Sequence, residues 1–158
     1  YKNTLFVITA DHTPNTKDKE YALNAGQYSV PLLFYMPGDT QLIGSNTNFT
    51  QQADILPTVL KYLNYKSPYF GFGASRFSAK KSGFSVQYLN GVYQFISEGY
   101  VLQFSSEKTI GLYNIKNDKA FKNDLTALEP EIKARLERKL KAVIQQYNNR
   151  VINNQLTE

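Results

Sequence analysis

Apolar residues in the first half of the chain form short continuous runs that are separated by polar segments. Residues 4–10 and 30–36 are two such runs, and an unbroken apolar run of this length is typical of a strand buried on both faces of a parallel sheet. Residues 53–65 have helical spacing instead, with Asp54 as the predicted N-cap and Pro57 in the first turn. The order of strand, loop, strand, loop and helix predicts a layered α/β fold.

Turn signals divide the next part of the chain into strands. Asn90-Gly91 lies between two runs of strand-forming residues, which is a strong signal for a tight β-hairpin. Gly99 and residues 105–108 mark two further turns. We therefore predict an antiparallel meander of four strands.

A long helix is predicted after the meander. From Leu125 to Val151, apolar residues recur at steps of three and four, and Pro130 falls near the first turn. We expect this helix to lie across the meander and to fray by Asn153. The aromatic side chains of the meander either pack against this helix or form a stacking platform for sugars or bases.

Composition limits the classes of function. The chain has 158 residues, which fits one domain, and it contains no cysteine, so a disulfide and a thiolate-based metal site are excluded. The sequence contains no run of 18 apolar residues, so we predict no membrane span. Because the chain begins with Tyr1 and leads almost directly into a strand, we expect a piece of a longer protein, with any anchor or signal upstream.

The net charge of +5 raises the question of a nucleic-acid partner. The basic residues are scattered, however, and their densest group, Lys133 to Lys141, shares the predicted helix with Glu131 and Glu137. A mixture of signs is typical of a solvated helix face. We therefore expect no nucleic-acid partner.

Asp11 and His12 directly follow the first predicted strand, and His12 is the only histidine. Adjacent side chains on a strand point to opposite faces, so these two converge only if the strand has ended and the backbone has turned. A carboxylate oxygen and an imidazole nitrogen together suit a divalent metal such as zinc or manganese. The alternative is that Asp11 caps a turn and His12 is a half-exposed polar residue, and the sequence chemistry leaves both readings open.

Three blocks in a fixed order resemble a known family. They are FVITADHT, YSVPLLFYMPG and QQADILPTVLKYLNY, and they cover about residues 3–65. Their order and separations resemble the C-terminal part of the sulfatase-like branch of the alkaline phosphatase superfamily, and within it the lipoteichoic acid synthase and phosphoglycerol transferase group. The segment YFGFGASRFS resembles the family's later glycine-rich turn, and the meander resembles its antiparallel edge.

The resemblance implies the C-terminal portion of an α/β/α sandwich, with two buried parallel-type strands and a helix before the meander and the long helix. In that domain, residues 1–68 would hold the metal-ligand loop and the α/β part, 69–118 the meander and 119–158 the C-terminal helix. The missing N-terminal part of the same domain would be a partner of this chain.

The resemblance also implies site residues. Asp11 and His12 fall on metal-ligand positions for Mn, Zn or Mg, or for Ca in a true sulfatase, and the site is incomplete in this fragment. The nucleophile, which is a Thr, or a Ser or Cys converted to formylglycine, would lie upstream, so no catalytic residue is assigned here. Thr13 stands where true sulfatases and phosphoethanolamine transferases usually have Gly, and it either binds substrate or starts the turn. Arg76, beside the glycine-rich turn, is a second candidate substrate-binding residue, because its guanidinium could hold a phosphate or sulfate bidentately.

Other charged residues have plain alternatives. Lys80-Lys81 could contact an anionic head group, but a solvated turn is the simpler explanation. We expect Asp18 and Glu20 to be solvated carboxylates in a Lys-rich loop.

The function implied is that of a metal-dependent sulfatase-like hydrolase, or of a phosphoglycerol- or phosphoethanolamine-type transferase. Its substrate would be a small-molecule or lipid-linked sulfate or phosphate ester. The family works at the periplasmic or extracellular face of the bacterial cytoplasmic membrane, often tethered by upstream helices. We expect the isolated fragment to be inactive. The alternative is a non-catalytic binding or structural module with an aromatic antiparallel sheet.

Overall fold

The residues that the computed structural model describes are 1–14, 17, 21, 24–78 and 83–156. The chain forms two compact units, Tyr1–Thr47 and Asn48–Glu158. The predicted division into 1–68, 69–118 and 119–158 concerns a larger domain and stays a prediction.

The first unit is built on two short strands. They run antiparallel, with Phe6 opposite Tyr35 and Thr9 opposite Leu32. A short helix, Asn24–Gln27, falls in the described part of the loop between them. The elements of this unit are β1 (Phe6–Thr9), α1 (Asn24–Gln27), β2 (Leu32–Tyr35) and a 3₁₀ turn (Thr40–Leu42).

The direction and burial of β1 and β2 differ from the expectation of buried parallel-type strands. The two strands pair antiparallel, and the side chains of Ile8, Leu33 and Tyr35 are 54%, 53% and 44% exposed. A continuous apolar run marks hydrophobic surface on both faces of a strand, but it encodes neither the strand's direction nor what covers it. The sequence pattern was therefore right about the strands and wrong about their pairing.

The second unit contains a short helix, a meander and a long helix. Its sheet has the strand order β3-β4-β5-β6, and every neighbouring pair is antiparallel. This confirms the predicted meander and the mixed α/β class. The elements are a 3₁₀ turn (Gln52–Asp54), α2 (Ile55–Tyr62), β3 (Phe84–Leu89), β4 (Val92–Ser97), β5 (Tyr100–Phe104), β6 (Thr109–Asn114) and α3 (Pro130–Ile152).

Tight turns join the first strands of the meander. Asn90 and Gly91 have φ angles of 52° and 81°, and positive values at both positions are what a two-residue type I′ hairpin requires. Glu98 and Gly99 repeat the pattern, with φ angles of 56° and 83°. The Asn-Gly prediction is thus confirmed.

Helix α3 packs on one face of the meander. Leu136 and Leu140 are fully buried against Phe95, Leu102 and Leu112 from the three last strands. These apolar contacts confirm the predicted position of the long helix, and burial of such side chains is the main source of its stability. Among the meander's aromatic side chains, Phe95 and Phe104 belong to this core and Phe84, Tyr93 and Tyr100 pack at its margin, whereas Tyr88 is 61% exposed.

The charged side of α3 carries ion pairs of mixed sign. Glu98 accepts hydrogen bonds from Arg135 and Lys139, and Glu137 accepts one from Lys141. The basic group on this helix is therefore partly neutralised, as the charge pattern predicts. None of the helices in the described part of the chain is both long and apolar enough to cross a membrane.

Candidate metal centre at the end of strand β1

Strand β1 ends at Thr9, and the backbone bends at Asp11 and His12. The Thr9 hydroxyl donates a hydrogen bond of 2.9 Å to the carbonyl of Pro31. This bond ties the end of β1 to the residue before β2. The strand therefore stops where the sequence predicts. Beyond it, the side chains of Asp11 and His12 no longer have to point to opposite faces of the sheet.

The side chains of Asp11 and His12 lie on the same side of this bend. Asp11 Oδ2 and His12 Nε2 are 3.6 Å apart. The backbone N–H of His12 donates to Asp11 Oδ1 at 2.9 Å, which fixes the carboxylate beside the imidazole. The two side chains are 87% and 53% exposed, so both reach solvent.

A second hydrogen bond orients the imidazole from its other side. His12 Nδ1 lies 2.8 Å from the carbonyl oxygen of Thr13. Thr13 is itself held by Gln27, whose carbonyl accepts from the Thr13 backbone N–H at 2.8 Å and from its hydroxyl at 3.1 Å. The ring thus contacts Asp11 on one edge and a fixed carbonyl on the other.

The pair has the chemistry and spacing of two metal ligands. Zinc bonds of about 2.0–2.2 Å that meet at a tetrahedral angle separate their donor atoms by about 3.4 Å, and the observed separation is 3.6 Å. Two ligands do not make a complete centre, because zinc sites take at least three from the protein. Among the described residues, no group of three or more His, Cys, Asp or Glu side chains could hold a metal ion. The residues fit a metal as a partial site, and the ligand assignment of Asp11 and His12 stays a prediction.

Thr13 and Arg76 have structural contacts of their own. The Thr13 hydroxyl donates to Gln27, which is the turn role that the sequence left open. Arg76 lies in the second unit, where its Nε donates to the Ala74 carbonyl at 3.0 Å and its Nη1 to the Phe49 carbonyl at 3.1 Å. Only 11% of its side chain is exposed. Substrate binding by either residue stays a prediction.

Arg76 belongs to a buried hydrogen-bond network around Asp54 that the sequence did not predict. Asp54 is 2% exposed, and its carboxylate accepts from the backbone N–H of Gln51 at 3.0 Å and of Ala74 at 2.7 Å. Arg76 Nε is 3.4 Å from the same carboxylate. Asp54 occupies the N-cap position of α2, as the sequence predicts, but its side chain makes no capping bond to that helix.

Thr58 also belongs to this hydrogen-bond network, and Gly73 lies beside it. The Thr58 hydroxyl donates to the Asp54 carbonyl at 2.6 Å and accepts from the Arg76 backbone N–H at 3.0 Å. A Cβ at Gly73 would lie 1.9 Å from the Ala53 carbonyl oxygen, so only glycine permits this approach. Asp54 and Thr58 lie four residues apart in ADILPT, which is visible in the sequence. Their partners, the backbone N–H groups of Ala74 and Arg76, leave no such pattern.

Three sequence predictions lie outside the described residues. Lys80-Lys81 and the carboxylates of Asp18 and Glu20 fall in the gaps of the description. Their proposed roles stay predictions.

Comparison with known proteins gives one finding for this chain. The family model described as Sulfatase matches residues 1–65, a range that includes β1, the Asp11-His12 bend, β2 and α2. No curated protein matches the chain significantly. The match coincides with the three sequence blocks, so residues 1–65 are similar to the sulfatase family.

Proposed function

We propose that this chain supplies part of the active site of a metal-dependent enzyme that cleaves or transfers sulfate or phosphate esters. The observation that carries the proposal is the convergence of Asp11 Oδ2 and His12 Nε2 to 3.6 Å at the end of β1. It lies within the segment that matches the sulfatase family. The combination of a family match and two convergent donor atoms favours an enzyme over a non-catalytic module.

Asp11 and His12 would have complementary roles. Asp11 brings a negative charge, which lowers the net charge of a bound divalent cation, and His12 adds a neutral nitrogen ligand. A bound cation would neutralise charge on the oxygens of the transferred group and activate a nucleophilic hydroxyl. The exposure of both side chains leaves room for further ligands and for the ester.

We also propose that the site is completed by residues outside this chain. Two ligands are fewer than a zinc centre requires, and the family resemblance implies that the nucleophile and another acidic ligand come from an N-terminal part of the domain. We therefore expect the isolated chain to bind zinc or manganese more weakly than micromolar and to turn over no ester.

Within the family we favour the phosphoglycerol transferase side. The supporting feature is Thr13 after the Asp-His pair, where true sulfatases usually have Gly. This choice implies a lipid-linked phosphate ester as substrate and a place at the outer face of the bacterial cytoplasmic membrane. Sulfate esters are the alternative substrate class.

The test is ester turnover by the full-length gene product, measured with 4-nitrophenyl phosphate, 4-nitrophenyl sulfate and a fluorescent phosphatidylglycerol. Activity should disappear with a chelator and return with Mn²⁺ or Zn²⁺. His12→Ala should lower kcat/KM by about 100-fold or more, since metal stabilisation of the transition state is worth several kcal/mol. The matched control is Asp39→Asn, which changes a carboxylate elsewhere in the first unit. Activity that survives both the chelator and His12→Ala would refute the proposal.

A further inference from the structure

The hydrogen bond between His12 and Thr13 decides which imidazole nitrogen can bind a cation. A carbonyl oxygen only accepts hydrogen bonds, so His12 Nδ1, at 2.8 Å from the Thr13 carbonyl, must carry a proton. In the neutral ring Nε2 then keeps its lone pair. This lone pair belongs to the nitrogen that lies 3.6 Å from Asp11 Oδ2.

Two electron-rich atoms therefore face each other across the bend. With the proton on Nδ1, the His12 Nε2 lone pair and Asp11 Oδ2 could both contact a cation that lies between them. A tautomer with the proton on Nε2 would turn this pair into an ordinary hydrogen bond and block the nitrogen. The Thr13 carbonyl opposes that tautomer.

The position of the Thr13 carbonyl depends in turn on Gln27. Both the backbone N–H and the hydroxyl of Thr13 donate to the Gln27 carbonyl, at 2.8 and 3.1 Å. Gln27 is the last residue of α1, so a short helix anchors the turn that follows the metal-ligand pair. Fourteen residues separate the two ends of this clamp, which explains why local sequence does not reveal it.

We propose that Thr13 is a positioning residue, whose clamp to Gln27 holds its carbonyl against His12 Nδ1 and thereby presents His12 Nε2 to a divalent cation. The inference rests on the proposed metal site at Asp11 and His12. Outer hydrogen bonds of this kind fix the tautomer and orientation of metal-binding histidines, and their loss typically lowers metal affinity by about 10–100-fold.

The test uses the single histidine of the chain. Long-range ¹H–¹⁵N NMR at about pH 9, where imidazoles are neutral, reports one ring, because His12 is the only histidine. The full chain should show the Nδ1–H tautomer. Thr13→Val removes the hydroxyl donor at nearly constant shape, and it should increase the Nε2–H population and weaken Mn²⁺ binding by about 10-fold, measured from water-proton relaxation.

Two further variants complete the design. Thr13→Ser keeps the hydroxyl and should restore both readouts, which separates positioning from a general loss of fold. Thr50→Val removes a comparable hydroxyl bond, to the Asn48 carbonyl in the second unit, and should change neither readout. An Nε2–H tautomer in the unaltered chain, or Mn²⁺ binding that depends on His12 but not on the Thr13 hydroxyl, overturns the inference. If no Mn²⁺ binding depends on His12, the proposed metal site itself fails.

Discussion

At the scale of single residues, the short segment after β1 concentrates the chemistry of this chain. Asp11 and His12 converge because the strand ends at Thr9 and the next residues bend. The sequence predicted both the bend and the pair, since an apolar run that stops on two polar residues marks the end of a strand. It could not predict the clamp by Gln27, because a backbone carbonyl that accepts hydrogen bonds leaves no signature in residue type.

The hydrogen-bond network around Asp54 gives the first residue-scale prediction. Asp54→Ala should lower the free energy of unfolding by about 3–5 kcal/mol, because it leaves the largely buried Arg76 guanidinium without its carboxylate. Urea denaturation followed by circular dichroism measures the change. Glu107→Ala alters an exposed acidic residue in a turn and should stay within about 0.5 kcal/mol of the unaltered chain. Equal effects of the two variants would contradict the structural role of Asp54.

Gly73 gives the second prediction. Gly73→Ala should lower the free energy of unfolding by about 1–3 kcal/mol or more, because the new Cβ would lie 1.9 Å from the Ala53 carbonyl oxygen. Gly71→Ala is a closely matched control, since a Cβ there would meet nothing within 4 Å. The same urea experiment compares the two variants. If Gly73→Ala left the free energy of unfolding unchanged while Gly71→Ala lowered it, the close backbone contact would not be at Gly73.

At the scale of elements, the meander and α3 were predictable because their signals are local. Asn90-Gly91 encodes a hairpin by itself, and the apolar spacing of α3 repeats over six turns. The pairing of β1 with β2 was not predictable, because a continuous apolar run does not encode the direction of the neighbouring strand. The role of Asp54 was missed for a similar reason: its partner Ala74 contributes only a backbone N–H.

Glu98 links the turn between β4 and β5 to α3, and this link depends on pH. Hydrogen bonds from Lys139 and Arg135 hold the pKa of Glu98 below its ordinary value. A carboxylate whose pKa is lower in the folded state stabilises the fold above its unfolded pKa of about 4.3 and loses this effect as pH falls through its folded pKa. The link should therefore be fully present at neutral pH and absent in strong acid.

The corresponding prediction concerns Glu98→Gln. At pH 7 this variant should lower Tm by about 2–4 °C, which corresponds to about 1 kcal/mol for a chain of this size. The difference from the unaltered chain should be smaller at pH 3, below the ordinary Glu pKa of about 4.3, than at pH 7. Differential scanning calorimetry at both pH values measures it, with Glu107→Gln as the control. A difference that grows on acidification would contradict the assignment of the ion pairs.

At the scale of the whole molecule, the two compact units have unequal cores. The second unit holds a continuous cluster of fully buried residues between the sheet and α3. In the first unit, Ile8 and Leu33 on the paired strands are more than half exposed. Local opening is easier where few apolar side chains are buried, so the unit that carries the candidate metal site should open first.

Hydrogen exchange tests this difference. Backbone amides of β4 and β5, the central strands of the meander, should exchange at least about 100-fold more slowly than those of β1 and β2, because a difference of about 3 kcal/mol in opening free energy corresponds to this factor. Mass spectrometry or NMR at neutral pH gives the rates. Similar protection in both strand pairs would contradict the unequal cores.

The central claim is that Asp11 and His12 together hold a divalent cation, and Mn²⁺ tests it most directly. In a titration of the ¹⁵N-labelled chain with substoichiometric Mn²⁺, the account predicts selective paramagnetic broadening of the amides around residues 10–13 and its loss in both His12→Ala and Asp11→Asn. Weak binding suffices for this measurement, so the absence of further ligands does not hide the site. Broadening centred on other residues, or unchanged by His12→Ala, would contradict the account.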